Sequence, residues 1–209
     1  MNGSGAQKAA RAVLWFPETV HIPLSRLETL AKSMTQQELK DYFQQAWAIY
    51  EESFPVDARR PLSSHLQTQL DSRYTFTPLL GENGIVVGAL GFWRFEEFTF
   101  IEHIAISSAC RGCGIGTSTI KELQDAANLP LILETELPEM NIQAPKRICW
   151  YESLGFYSNH QDYYQPAYAM HQNPVPSRIM SYPHQLSPSD FESVRELLYS
   201  QVYHYVPSR

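Results

Sequence analysis

Between Phe100 and Thr117 the chain reads FIEHIAISSACRGCGIGT, and this run holds the residues best spaced to do chemistry. A strand-like stretch feeds a loop with Gly112, Gly114 and Gly116, and a helical pattern starts directly behind it. Glycines let the backbone come close to a ligand. The first amides of a helix lack partners within it and sit at the positive end of its dipole. Such a junction holds an anion through amides rather than lysines, with Arg111 adding one fixed positive charge at the rim. The spacing G-x-G-x-G departs from the G-x-G-x-x-G of dinucleotide sites, and the strands before it read as antiparallel. No lysine follows Gly116, which excludes a Walker-type phosphate loop. Cys110 and Cys113 form a C-x-x-C at a helix start, where a thiolate is stabilised, so a redox role stays open. Zinc is disfavoured, because Cys149 alone supplies no second pair.

The elements that must position this loop follow from periodicity. Thr35 and Glu38 make a capping box for a helix over 36–53, with Leu39, Tyr42, Phe43, Ala46, Ile49 and Tyr50 at helical spacing. A shorter helix over 61–70 carries Leu62, Leu66 and Leu70 along one face. Strands are expected over 74–80, 85–95 and 98–107 as an antiparallel meander, the first turn being Gly81-Glu82-Asn83-Gly84. The pattern then changes to helix, strand, helix over 114–127, 129–136 and 145–154, with Gly155 as the left-handed residue behind the last. An extended pair follows over 163–168 and 177–182. A final helix opens at Ser187, and its stripe of Phe191, Val194, Leu197, Leu198, Val202 and Tyr205 suits packing on the domain or a dimer contact.

The chain has 209 residues, 44% of them hydrophobic, which suits one core with appendages: a segment 1–35, a domain 36–182 and a helical extension 183–209. The apolar run over 84–93 is too short to span a bilayer, which takes ~20 residues. Sixteen Lys and Arg against 22 Asp and Glu give a net charge of −6, and the basic residues are scattered, which argues against nucleic acid. Three cysteines are too few for a disulfide scaffold, and the N-terminus lacks a secretory apolar run, so a cytoplasmic location is expected.

Arg111-Gly-Cys-Gly114-Ile-Gly116 matches [Q/R]-x-x-G-x-[G/A], and here the chain resembles the GNAT superfamily of acyl-CoA-dependent N-acetyltransferases. Three further segments fall in that family's order: Tyr50-Glu-Glu-Ser-Phe-Pro55 with Arg59-Arg60-Pro61, the strand Glu102-His-Ile-Ala-Ile106, and Trp150-Tyr-Glu-Ser-Leu-Gly-Phe156. The resemblance covers roughly 36–182. It implies an α/β (α+β) fold, a mixed and strongly twisted sheet with a splayed central strand pair flanked by helices. It also implies acetyl-CoA as co-substrate and no metal. By that pattern Arg111, Gly112, Cys113, Gly114, Ile115, Gly116 and Thr117 form the cofactor-binding loop, the amides of Cys113 through Thr117 cradling the pyrophosphate. The backbone of Ile104, Ala105 and Ile106 pairs with the pantetheine arm and holds the thioester carbonyl. Tyr151 takes the place of the phenol that meets the CoA sulfur, as general acid.

An incoming ammonium must also lose a proton. Glu102 lies on the strand ahead of the loop and is the first choice of base. Glu134 and Glu136 end the next strand, on one face with Thr135 opposite. A carboxylate there acts directly or through water, and each of the three also reads as a solvated or paired acid. Ala144 stands where many members of the family carry an asparagine, and Asn141 is nearby but out of step. Between His103 and Ile120 there is one arginine and no acid, whereas Glu134, Glu136 and Glu139 gather near the acceptor side. The expected partner is therefore a cationic amine, on a small molecule or a peptide, with no nucleic acid, no membrane and a homodimer left open. The alternative from another class is a non-catalytic acyl-CoA-binding regulatory module.

Overall fold

Thr35 accepts the amide of Glu38 at 3.3 Å while Glu38 reaches back to the Thr35 amide at 2.8 Å, closing the capping box that starts helix α1 (Gln36–Ser53). The computed structural model describes residues 32–81 and 84–205. Most of the expected 1–35 segment, Glu82 and Asn83 of the first turn, and residues 206–209 lie outside the described residues. Helix α1 turns Ala46, Trp47 and Tyr50 inward and ends at Phe54, whose extended backbone is what the following Pro55 requires. A 3-10 turn (Val56–Ala58) leads to helix α2 (Leu62–Thr68).

Helix α2 departs from expectation in the face it buries. Leu62, Leu66 and Leu70 are 45%, 47% and 77% exposed, and His65 is the residue that is buried. The rings of Phe43, Trp47, Tyr50, Tyr74 and Phe76 surround the flat imidazole. Residues advance ~100° around a helix, so pointing His65 inward turns Leu66 away from the domain, and Leu70 lies beyond the helix end at Thr68.

Seven strands form one sheet in the order β1-β2-β3-β4-β7-β5, with β6 also paired to β7. These are β1 (Tyr74–Leu80), β2 (Val86–Arg94), β3 (Thr99–Ile106), β4 (Leu131–Glu136), β5 (Tyr157–Ser158), β6 (Tyr163–Gln165) and β7 (Val175–Tyr182). The mixed, helix-flanked sheet agrees with expectation. Every pairing is antiparallel except β3 with β4, which stay in register only from Thr99–Leu131 to Ile101–Leu133 and then separate. That separation is the splayed central pair. A bulge sits beside it: Gly91 faces His103 and Phe92 faces Ile101, leaving Glu102 as the extra residue. Glu102 and His103 consequently point to one side, and Ile104 and Ile106 return to the side of Ile101.

Helices α3 (Ile115–Ala126) and α4 (Ala144–Ser153) cover that side, with Ile120 and Ile148 packed on Leu131 and Leu133. On the other side lie α1 and the last helix, α5 (Pro188–Leu197), which runs into a π-turn (Leu198–Val202). Ser187 caps α5 by accepting the Asp190 amide at 3.2 Å. Phe191, Leu198 and Val202 are fully buried with Trp93 and Phe100, so the sheet occupies this stripe, and Tyr205 at its end is exposed. Among the described residues no helix is long and apolar enough to cross a membrane. Urea denaturation should show Phe191→Ala losing about 3–5 kcal/mol. Leu66→Ser should stay within about 0.5 kcal/mol of the parent. Comparable losses in the two would overturn this assignment of the buried faces.

Candidate active site

The glycines of the loop serve two different physical ends. Gly112 and Gly114 have φ of +79° and +80°, where an L side chain is strained, and a Cβ on either would meet nothing within 4 Å. Their open side is free for a ligand to approach. Gly116 has ordinary φ, but a Cβ there would lie 3.3 Å from the Trp150 ring, so its size is set by packing of α3 on α4. Gly114 is the N-cap of α3, and no side chain caps that end. The helix itself offers no acceptor to the amides of Ile115, Gly116 and Thr117. Ile115 is buried in the core, which leaves only its backbone for the loop, while the Thr117 hydroxyl accepts the Trp150 indole N–H at 3.1 Å. Arg111 is pinned at the rim, donating from Nε to the Ile106 carbonyl at 3.0 Å and from Nη2 to Ser53 at 3.4 Å. Cys110 is buried, with its thiol pushed up by burial and then by Cys113, the opposite of a reactive thiolate. Cys113 is exposed, and both thiols are free.

Where β3 and β4 separate, a cleft of about 90 Å³ opens, and Glu102, Glu134, Glu136 and Tyr151 all line it. Beyond Ile101 the edge of β3 that faces β4 has no strand partner, which leaves the backbone of Ile104 and the amide of Ile106 on that edge, whereas the Ile106 carbonyl accepts from Arg111 and the Ala105 carbonyl faces Gly88 of β2. The three acids sit in different surroundings. Glu102 is the centre of a buried network. Arg60 reaches its Oε1 at 2.9 Å from Nη2 and 3.1 Å from Nε, Tyr168 donates to the same oxygen at 2.8 Å, and Trp93 donates to Oε2 at 2.9 Å. The side chains of Arg60 and Glu102 are 4% and 1% exposed. Burial pushes the Glu102 carboxyl up, but Arg60, with His103, Trp93 and Tyr168, pulls it below its ordinary value. Paired with a buried guanidinium and of low basicity, Glu102 is poorly suited to the role of first-choice base.

Glu134 faces the other way electrostatically. Burial, aided by the charge of Glu102, raises its carboxyl to about 7, against hydrogen bonds that favour the anion. Those bonds come from the hydroxyls of Tyr163 and Tyr203, the latter at 2.7 Å. Glu136 shares the strand face with Glu134, yet its carboxylate turns to Arg147 at 2.8 Å, and the same guanidinium donates to Thr135. The two acids of β4 therefore diverge. Asn141 lines the cleft and caps the segment before α4 by accepting the Gln143 amide at 2.9 Å. Tyr151 is buried on the inner side of α4, and burial raises its hydroxyl to about 12.

Sequence reading missed several residues of this site. Arg60 was visible as part of Arg59-Arg60-Pro61 but with no role, and nothing in the spacing connects it to Glu102 forty-two residues on. Tyr163, Tyr168 and Tyr203 come from a short strand, a loop and the turn behind α5, with only their abundance as a signal: the chain has 12 tyrosines.

A splayed parallel pair, a glycine-rich helix start and a cleft lined with acids combine an anion-binding junction with groups able to move protons. The profile of the acetyltransferase (GNAT) family matches residues 37–156, and the chain belongs to that family. Membership implies acyl transfer from acetyl-CoA. A GNAT-family protein from Bacteroides thetaiotaomicron is 28% identical, with TM-score 0.71, over 90% of this chain and 99% of the other. The ribosomal-protein-S18-alanine N-acetyltransferase of Escherichia coli shares the fold at 17% identity and TM-score 0.51, over 75% and 94% of the two chains. Arabidopsis thaliana Naa50 shares it at 16% identity and TM-score 0.50, over 71% and 93%. No curated protein matches the chain in sequence.

The raised carboxyl of Glu134 carries a stability signature. Folded, it holds its proton up to about 7, whereas the free group releases it near 4.5. Its contribution is therefore greatest below pH 4.5 and is lost as pH rises through 7. Glu134→Gln removes this dependence, so its stability relative to the parent should rise by about 2 kcal/mol between pH 5 and pH 8 in urea titrations. A pH-independent difference would show that Glu134 is not raised.

Proposed function

We propose that the protein is an N-acetyltransferase that moves an acetyl group from acetyl-CoA directly to a primary amine, the amine being held in the cleft between β3 and β4. One observation carries this reading most: beside the open, glycine-bounded start of α3 lies a cleft lined by both a raised carboxylate and a buried phenol. Acetyl-CoA supplies the thioester. The amides of Cys113 through Thr117 would hold its phosphates, with Arg111 at the rim. The free edge of β3 at Ile104 to Ile106 would receive the pantetheine arm, and a backbone N–H there would stabilise the negative charge developing on the carbonyl oxygen.

Glu134 is the better base in this reading. A group titrating near 7 can take a proton from an ammonium, through water if need be, and still release it at neutral pH. Tyr151 acts on the leaving side. Its hydroxyl at about 12 lies well above a free thiol at ~8.5, so complete proton transfer to a thiolate would run uphill by roughly 5 kcal/mol. Tyr151 therefore serves by donating a hydrogen bond to the sulfur as charge builds on it. The acceptor is a cationic amine of a small molecule or peptide, drawn by the acid lining of the cleft, and a cytoplasmic location fits the unpaired thiols.

Calorimetry should detect acetyl-CoA binding in the parent and none in Gly114→Glu, which adds a carboxylate on the open side of the loop. No binding to the parent would overturn the acetyltransferase reading. Tyr151→Phe should lower turnover by about 10- to 100-fold, the worth of a hydrogen bond to a charged group, with acetyl-CoA affinity unchanged. Equal turnover would return Tyr151 to the core.

A further inference from the structure

Two buried polar atoms in the cleft have no partner in the protein. His103 is 5% exposed, its Nε2 lies 3.1 Å from the Ala58 carbonyl, and its Nδ1 is buried without a hydrogen bond. A carbonyl can only accept, so Nε2 carries the proton. Burial lowers the ring's basicity, which keeps it neutral and leaves Nδ1 as a bare acceptor. Edge-to-face contacts with Tyr50 and Phe54 at 4.8 and 4.7 Å hold the ring in place. Gln165 is 8% exposed, and its Nε2 is likewise buried without a hydrogen bond. Strand β6 turns Tyr163 and Gln165 inward and Tyr164 outward, so Gln165 enters the cleft beside the tyrosine that holds Glu134. Both His103 and Gln165 line the same cleft of about 90 Å³.

Buried polar atoms in native proteins nearly always find a partner, and two side chains that line one small cleft, each with an unpaired polar atom, point to a ligand that satisfies both. The ligand must offer an N–H to His103 and an oxygen to Gln165 within one short fragment. A carboxylate is a poor source of that oxygen, because Glu102, Glu134 and Glu136 line the same space and their cations Arg60 and Arg147 are already paired. Resting on the acetyltransferase reading above, we propose that His103 and Gln165 form the acceptor-binding pair. They select primary amines that also carry a neutral oxygen, as in a short amino alcohol or an α-amino carbonyl. The amine donates one N–H to His103 Nδ1, the oxygen accepts from Gln165 Nε2, and Glu134 takes the ammonium proton, directly or through water.

The test compares four acceptors with acetyl-CoA: glycinamide, ethanolamine, ethylamine and glycine. Glycinamide and ethanolamine should each exceed ethylamine and glycine in kcat/KM by about 10- to 100-fold. Which of the first two is faster separates the carbonyl source of the oxygen from the hydroxyl source. Gln165→Leu should bring both down to the level of ethylamine, chiefly through KM. His103→Phe keeps the ring contacts and should lose activity with all amines while acetyl-CoA affinity is retained. Without acetyl-CoA, imidazole nitrogen spectra should show the Nε2–H tautomer and a shift of the His103 Nδ1 signal on adding glycinamide. Ethylamine or glycine matching glycinamide, or Gln165→Leu leaving glycinamide unaffected, would overturn the pair, since a buried water would then fill it. Failure of the parent to bind acetyl-CoA would instead sink the acetyltransferase reading.

Discussion

The buried pair of Arg60 and Glu102 draws together parts of the chain that otherwise have little reason to meet. Arg60 comes from the link between α1 and α2, Glu102 from the bulge of β3, Trp93 from β2 and Tyr168 from the loop behind β6. The same guanidinium also donates to the Val202 carbonyl at 2.8 Å, which ties in the turn behind α5, and it lies 4.5 Å from the centre of the Tyr168 ring. Two charges that are almost fully buried persist only because each is matched by the other and by further hydrogen bonds. Removing one partner of such a pair typically costs 3–5 kcal/mol, since the survivor is left uncompensated. The pair is therefore as much a constraint on the assembly of the site as a source of stability.

Glu102 and Glu134 end up in one cleft with opposite characters. The arginine beside Glu102 holds it anionic, and that fixed negative charge, with burial, pushes Glu134 up to about 7. Two acids whose surroundings drive them apart can divide structural and proton-transfer work between them. The bulge makes this possible. An unbulged strand would put His103 on the opposite side from Glu102, towards α3 and α4, and would empty the corner where His103 now faces the cleft.

Much of the fold was legible because local signals were strong. The capping box at Thr35, the meander, and the strand, loop and helix from Phe100 to Thr117 all appear where periodicity and turn chemistry placed them. At α2 the reading failed, because three leucines at spacing four outweighed one histidine in the sequence, whereas a box of aromatic rings decided the buried face. Among the glycines, Gly116 was legible as a glycine but not for its reason, which is the Trp150 ring thirty-four residues away.

By itself the sequence determined the order of the elements, the anion-binding character of the loop and the set of acids from which a base could come. These depend on hydrogen bonds and side-chain types within a few residues of one another. Only the tertiary structure decided which acid is paired and which is raised. It also decided that Tyr163 and Tyr203 hold Glu134, and that His103 and Gln165 face one space unpartnered. The physical reason is that a titrating or hydrogen-bonding group takes its character from burial and from whichever charges lie within a few ångströms. Here Glu102 takes Arg60 and Tyr168 from 42 and 66 residues away, and Glu134 takes Tyr163 and Tyr203 from 29 and 69.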